Sequence, residues 1–182
     1  MALTLIVEDG SGLLNANTFT SLAEANTYHE AHLHASIWHD MPLEERKAAL
    51  IQATRVLDEQ VEWEGWKATS GQALRWPRGG VNDRDVGDPA SYTFYGYSLP
   101  STIIPVWLKN ATSEFARWLK AEDRMADPET AGYSSLSVGK LSMTLDPGDR
   151  KSILPRVVRD MVSPYGLVKQ QGSTGMVTLL RR

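Results

Sequence analysis

The chain has 182 residues, 42% hydrophobic and 23% charged, a make-up that suits one soluble domain with arms and a core of its own. It holds no cysteine, which excludes disulfides and thiolate metal sites. The net charge of −3 conceals an acidic body, 12 Lys/Arg against 20 Asp/Glu over residues 1–146, and a basic end, 7 against 2 over residues 147–182; such an end either meets something negative or is simply solvated.

The first residues, Met1 to Asp9, lack a basic leader region, and their apolar run is too short for a signal peptide. No stretch approaches the roughly 20 apolar residues of a membrane helix. The expected setting is therefore the cytoplasm, or a particle packaged from it. Leu3–Val7 is β-prone, and Glu8-Asp9-Gly10-Ser11-Gly12 is turn-rich, so residues 1–20 read as an extended arm. Ser21-Leu22-Ala23-Glu24 has the form of a capping box. It predicts a helix from Leu22 to Leu33, with Leu22, Ala25, Tyr28, His29 and His32 near one stripe. A second helix is expected from Pro42, a good first helical position, with Leu43, Leu50 and Leu57 recurring at seven beside Ile51, Thr54 and Val61.

Residues 62–104 lose this period. They hold Trp63, Trp66, Trp76, Tyr92, Phe94, Tyr95 and Tyr97 among many Gly and Pro, and read as a long functional or interface loop with a helical turn at Ser70–Leu74. Pro105 begins a third helix striped by Leu108, Ala111, Phe115, Trp118 and Leu119 and stopped by Asp127-Pro128. Residues 134–146 alternate, with a phase slip at Gly139-Lys140 that marks a tight hairpin or a bulge, and run into the turn Asp146-Pro147-Gly148-Asp149. A short helix is expected from Lys151 to Met161 with Pro155 in its first turn. The Ser163-Pro164-Tyr165-Gly166 run ends the domain. Residues 167–182 form a tail, linker-like at Gln170–Gly175 and β-prone at Met176–Leu180. The expected fold is mainly α. It comprises a small bundle of about four helices over residues 21–166, a β-hairpin, a long aromatic loop, and extended N- and C-terminal arms.

The sequence contains few catalytic motifs. Walker A, dinucleotide and nucleophile-elbow patterns are missing. The pairs Asp58/Glu59 and Glu122/Asp123 read as solvent charges, not as general acid and base, and no enzyme and no cofactor is expected. His29-Glu30-Ala31-His32 fails the zincin spacing, because Leu33 stands where the second histidine belongs; a small metal hydrolase on His29 and His32 is a weak reading. Asn82–Asp88 breaks the EF-hand order and reads as a polar turn, so no metal is expected. The tract from Gly65 to Gly80 is the best candidate for chemistry. Trp66, Lys67, Arg75, Trp76 and Arg78 interleave aromatic faces with cations, the pattern that grips single-stranded nucleic acid by stacking and phosphate contact. The competing reading has the tryptophans plugging the core and the arginines pairing with acids.

Several stretches carry a resemblance. Val7-Glu8-Asp9-Gly10-Ser11-Gly12-Leu13, the run Asn15–Phe19, Ser21–His29, Ala53–Asp58, Gln72-Ala73-Leu74-Arg75-Trp76-Pro77-Arg78 and Leu99–Pro105 resemble a group of tailed-phage proteins labelled DnaT-like single-stranded-DNA-binding proteins. They are also similar to small helical head-tail connector proteins. The likeness spans the chain to about residue 165 and departs at Asp88–Ser98 and in the tail. The connector likeness implies a structural virion protein, made in the host cytoplasm and placed at the head-tail interface. It implies a ring of about twelve copies beneath the portal, in contact with the portal protein, its own copies and tail-side proteins. Double-stranded DNA would pass through the lumen without sequence-specific binding. The tail residues Met176, Val177, Thr178, Leu179 and Leu180 would then add to a neighbour's sheet or a portal groove, with Arg181 and Arg182 on acidic neighbours. The alternative is a single-stranded-DNA-binding module acting through the tryptophan tract.

Overall fold

In the computed structural model, residues 2–83, 97–126, 135–138, 141–144 and 152–169 are described. Helices α1 (Leu22–Glu30), α2 (Ser36–Asp40), α3 (Leu43–Gln60), α4 (Val106–Ala121) and α5 (Arg156–Val162) dominate. Short strands accompany them: β1 (Val61–Trp63), β2 (Trp66–Lys67), β3 (Arg78–Gly79), β4 (Ser135–Val138), β5 (Leu141–Thr144) and β6 (Gly166–Val168). The fold is mainly α, as the sequence indicates. A first compact unit spans Met1–Glu122 and Leu154–Lys169, and the β4–β5 hairpin belongs to a second.

Helix α4 is the axis of the first unit and packs against α1, α2, α3 and α5. Ala111 through Ala116 are buried in an unbroken run, so the middle of this helix is enclosed on every side, while Val106, Lys120 and Ala121 at its ends are exposed. Its hydroxyls are satisfied within the helix, Thr112 Oγ1 donating to Leu108 O at 2.8 Å and Ser113 Oγ to Lys109 O at 2.9 Å. Around it α3 contributes Leu50, Ala53, Val56 and Leu57, and α5 contributes Val158 and Val162. The bridges Lys109–Glu24 and Lys120–Glu45 cross the exposed surface and add little to stability.

The capping box at Ser21 forms as read, with the Glu24 amide donating to Ser21 Oγ and the Ser21 amide to Glu24 Oε2. Helix α1 stops at Glu30, short of the expected Leu33, because the chain turns there into α2. That short helix, too brief to show a period, sends Trp38 into the core. Pro42, Pro105 and Pro155 each stand one residue ahead of their helices, as N-caps with extended ψ and no side-chain cap. Their carbonyls accept from Arg46, Lys109 and Arg159. The last helix accordingly starts at Arg156, five residues later than Lys151. Helix α4 ends at Ala121, and Asp127-Pro128 lies outside the described residues.

The aromatic loop is stitched by short ladders. Strand β1 pairs antiparallel with β6, Val61 opposite Val168 and Trp63 opposite Gly166, so the chain following Tyr165 continues in a ladder before the tail begins. Strand β2 pairs with β3, and Asn82 bridges Ser98. The expected helical turn at Ser70–Leu74 is absent. The Gln72 side chain takes the bonds a helix would need, accepting from Thr69 N and donating to Leu74 O and Pro77 O. The Trp76–Pro77 peptide is cis. The N-terminal arm folds on itself, Glu8 N donating to Thr18 O and Asn17 N to Ile6 O, and is fastened to the body by Ala73 N donating to Leu13 O and Leu3 N to Glu44 Oε2; Phe19 is fully buried.

Candidate nucleic-acid interface

The tryptophan tract divides into a buried half and an exposed half. Trp76 has no accessible surface. Its ring meets Trp63 and Trp107 edge-on, at centroid distances of 5.8 and 5.5 Å, and Trp107 stacks on Tyr165 at 4.2 Å. This cluster joins the loop to α4 and to the segment after α5, with aromatic geometry that contributes beyond area alone.

Arg78 is buried too, and its guanidinium is spent on backbone. It donates to Glu64 O at 2.7 Å, Arg75 O at 3.1 Å, Trp63 O at 3.3 Å and Gly65 O at 2.6 Å. Burial pushes its pKa down, with Arg75 adding to the effect. The reason for this geometry lies in the β1–β6 ladder. Glu64 N donates to Tyr165 O and Lys169 N to Gln60 O, so the even residues of this strand face β6. The carbonyls of Val61 and Trp63 then point to the far side. Arg75 Nη1 takes the Val61 carbonyl at 3.2 Å, and Arg78 takes that of Trp63. The two arginines thus stand in for a third strand, satisfying carbonyls that burial would otherwise orphan. Trp76 and Arg78, read from the sequence as contact residues, are corrected to structural ones.

Trp66 is different. It is 67% exposed, and its indole rests on Gly79 and Gly80, where added Cβ atoms would come within 3.0 and 2.3 Å of the ring. Gly80 also has φ +72°, so this seat admits only glycine. Lys67 is exposed, on the opposite face of the two-residue ribbon, with Nζ donating to Gln72 O at 3.2 Å. Arg75 is half-buried. The tract therefore presents one exposed aromatic face, with Lys67 on the other side of the ribbon and Arg75 engaged with the Val61 carbonyl. The tail residues Met176–Arg182 lie outside the described residues.

Other candidate chemistry resolves into structure. His29 has no exposed surface. Its Nε2 lies 3.0 Å from Ser113 O, and burial holds the ring neutral by lowering its pKa to about 4. His32 Nδ1 accepts from His34 N, and its Nε2 sits 3.8 Å from Glu114. Among the described residues no group of three or more His, Cys, Asp or Glu could hold a metal ion. In the acidic stretch once compared with a calcium loop, Asn82 and Asp83 pair with Ser98 and Tyr97, while residues 84–88 lie outside the described residues. One organising residue was missed in the sequence. The buried Glu8 carboxylate accepts from Gly10 N, Gly12 N and Leu13 N at 2.8 to 3.0 Å. The signal was an acid followed by two glycines, both of which adopt positive φ.

Asp58 touches the tract directly. Its Oδ2 accepts from Arg75 N at 2.9 Å, while Oδ1 is buried without a partner among the described residues. Burial raises its pKa to about 6, against the pull of the Arg75 bond and charge. Its contribution to stability is present at low pH and is lost as pH rises through 6. His29 acts with the opposite sign: its contribution is present above its ordinary value near 6.5 and is lost as pH falls toward 4. From pH 7 to 5 the two effects oppose each other, acidification costing stability through His29 and returning part of it through Asp58. The wild-type melting temperature should therefore change little over this range. His29→Gln should melt higher at pH 5 than at pH 7, and Asp58→Asn lower. Parallel curves for all three proteins would refute the assignment.

With this geometry in place, comparison with known proteins adds one finding. A family model described as "Putative DnaT-like ssDNA binding protein" matches residues 3–182. The chain belongs to this family. No curated protein and no solved structure matches it. The match carries the single-stranded-DNA label of the sequence resemblance and leaves the head-tail connector label without a counterpart. Among the described residues, no helix is long and apolar enough to cross a membrane.

Proposed function

We propose that the chain is a non-enzymatic protein that contacts single-stranded DNA by stacking a base on Trp66. The observation that carries this reading is the exposed indole seated on Gly79 and Gly80, and the family description agrees with it. One base stacked on one aromatic contributes about 1–3 kcal/mol, below the roughly 4 kcal/mol of a millimolar complex. A single chain is therefore a weak binder, and useful affinity comes from several copies acting on one strand. With stacking as the main contact and few phosphates neutralised, the salt dependence should be shallow. Fluorescence anisotropy with an oligothymidylate at low salt should show weak, saturable binding. Trp66→Ala should reduce affinity roughly tenfold or more and Trp66→Phe should retain most of it. A flat titration for the wild type sinks the reading.

A second reading, a head-to-tail adaptor subunit in a tailed-phage particle, is favoured by a different observation. Leu33 is 96% exposed, Leu14 77%, Leu167 76% and Val106 71%. Side chains scattered singly like this are ordinary on a protein surface, and neighbours on several sides would cover them. In that reading the portal protein and copies of the chain are the partners, Met176–Arg182 supply a docking strand, and the protein resides in the virion. Electron microscopy of the chain mixed with portal should add density at the portal's narrow end. No added density, together with normal particle assembly after deletion of residues 175–182, removes it.

A further inference from the structure

The β2–β3 ribbon that carries Trp66 is closed by the loop of residues 68–77, and Ala68 N donates to Pro77 O at 3.1 Å across its mouth. The N-terminal arm lies against this loop. Ala73 N donates to Leu13 O at 2.9 Å. A Cβ at Gly12 would fall 2.6 Å from Thr69 Oγ1 and 3.4 Å from Gln72 Cβ, and one at Gly71 would fall 2.9 Å from Leu14 Cδ2. The same stretch of arm also meets the connection to α4, where a Cβ at Gly10 would overlap Thr102 O. Residues 10–14 thus touch both the loop of the ribbon and the chain that leads into the central helix.

One side chain holds this stretch in shape. Glu8 is buried, and its carboxylate accepts from three amides, Gly10 N and Gly12 N on Oε1 and Leu13 N on Oε2. Gly10 and Gly12 both have positive φ, and glycine has little backbone preference of its own, so the bonds to Glu8 select the conformation. Leu13 is fixed at both its polar groups, its amide by Glu8 and its carbonyl by Ala73. Two hydrogen bonds therefore connect Glu8 to the loop that closes the ribbon.

We propose that Glu8 is a positioning residue for the Trp66 site: by shaping the arm it fixes the loop of the β2–β3 ribbon, and with it the indole on which a base stacks. The assignment rests on the DNA reading above. Glu8 itself is buried away from any ligand and acts only through Leu13 and Gly12.

Glu8→Gln is the direct test, in the full-length chain. A carboxamide has one accepting oxygen and a donating NH2, so it cannot serve all three amides, although it keeps the size of the residue. With 5-fluorotryptophan incorporated, the fluorine resonance of Trp66, assigned through Trp66→Phe, should shift in Glu8→Gln, while those of Trp38 and Trp118 hold. Affinity for an oligothymidylate should fall roughly fivefold, the low end of what one stacked base supplies. Gly12→Ala keeps the carboxylate but drives a methyl group at Thr69, and it should act likewise. The double variant should be no worse than either single one, because both cut the same path. Asn17→Ala removes the acceptor of Ile6 N elsewhere in the arm and should leave resonance and affinity as in the wild type. A Trp66 resonance that stays in place in both Glu8→Gln and Gly12→Ala overturns the proposal. So does an equal shift in Asn17→Ala, or a shifted resonance with unchanged affinity. If the wild type binds no oligothymidylate, the DNA reading falls, and the fluorine resonances alone decide whether Glu8 sets the indole.

Discussion

Replacing Glu114 with alanine should lower stability by about 3–5 kcal/mol, the cost of stranding a buried charge. Glu114 is 2% exposed in the middle of α4. Its carboxylate accepts from the Arg117 guanidinium, from Trp118 Nε1 at 2.9 Å and from the Tyr28 hydroxyl at 3.4 Å. Burial works to raise its pKa, yet the charge and hydrogen bond of Arg117 outweigh it and hold the carboxyl below its usual value. Burial, reinforced by the same carboxylate, raises the Tyr28 phenol to about 12. Removing Glu114 leaves a largely buried guanidinium, an indole N–H and a phenol facing one gap. The melting temperature should fall by roughly 10 °C in a chain of this size. The double variant Glu114→Leu with Arg117→Leu should regain much of that loss, because apolar groups of similar volume often replace a buried ion pair at little cost. A single variant that melts like the wild type would show that water already reaches the pair.

Arg78→Ala should be the second large loss, on the order of 3 kcal/mol, since four backbone carbonyls lose a charged donor and burial leaves them poorly hydrated. Arg78→Lys should be nearly as damaging. An ammonium is a point donor and cannot span Glu64 O, Trp63 O and Gly65 O as a planar fork does. The informative comparison is with Trp66→Ala. At a temperature where circular dichroism shows both variants folded, Arg78→Ala should keep the wild-type affinity for an oligothymidylate, and Trp66→Ala should lose it. Normal melting with abolished DNA binding in Arg78→Ala would place the guanidinium at the ligand instead of at the edge of β1.

The two cases show what the sequence could and could not disclose. Helices α3 and α4 were readable because period, proline starts and length all agree, and the Ser21–Glu24 box needs only local bonds. Helix α2 was not, since five residues cannot display a 3.6 period. The ends of α1 and α4 were misplaced because they are set by the turn into Trp38 and by the extended Glu122, not by a local breaker. The tract at residues 65–80 was recognised as special, and its composition served two readings, with the acidic body favouring tryptophans in the core. Whether an arginine meets phosphate or carbonyl depends on the β1–β6 register, which joins residues more than 100 positions apart. Similarly, Trp66 and Trp76 look alike in sequence, and only the glycines beneath one and the rings around the other separate a platform from a plug.

The proline ahead of each of α3, α4 and α5 has an evolutionary corollary. A helix does not readily creep backward past such a residue, because the proline ring disfavours helical backbone at the position before it. Insertions or deletions upstream of Pro42, Pro105 or Pro155 are thus confined to the connecting segments and cannot rotate the helix that follows. A change of length in the connection before Pro105 should therefore leave Leu108 and Phe115 at their angular position in the bundle.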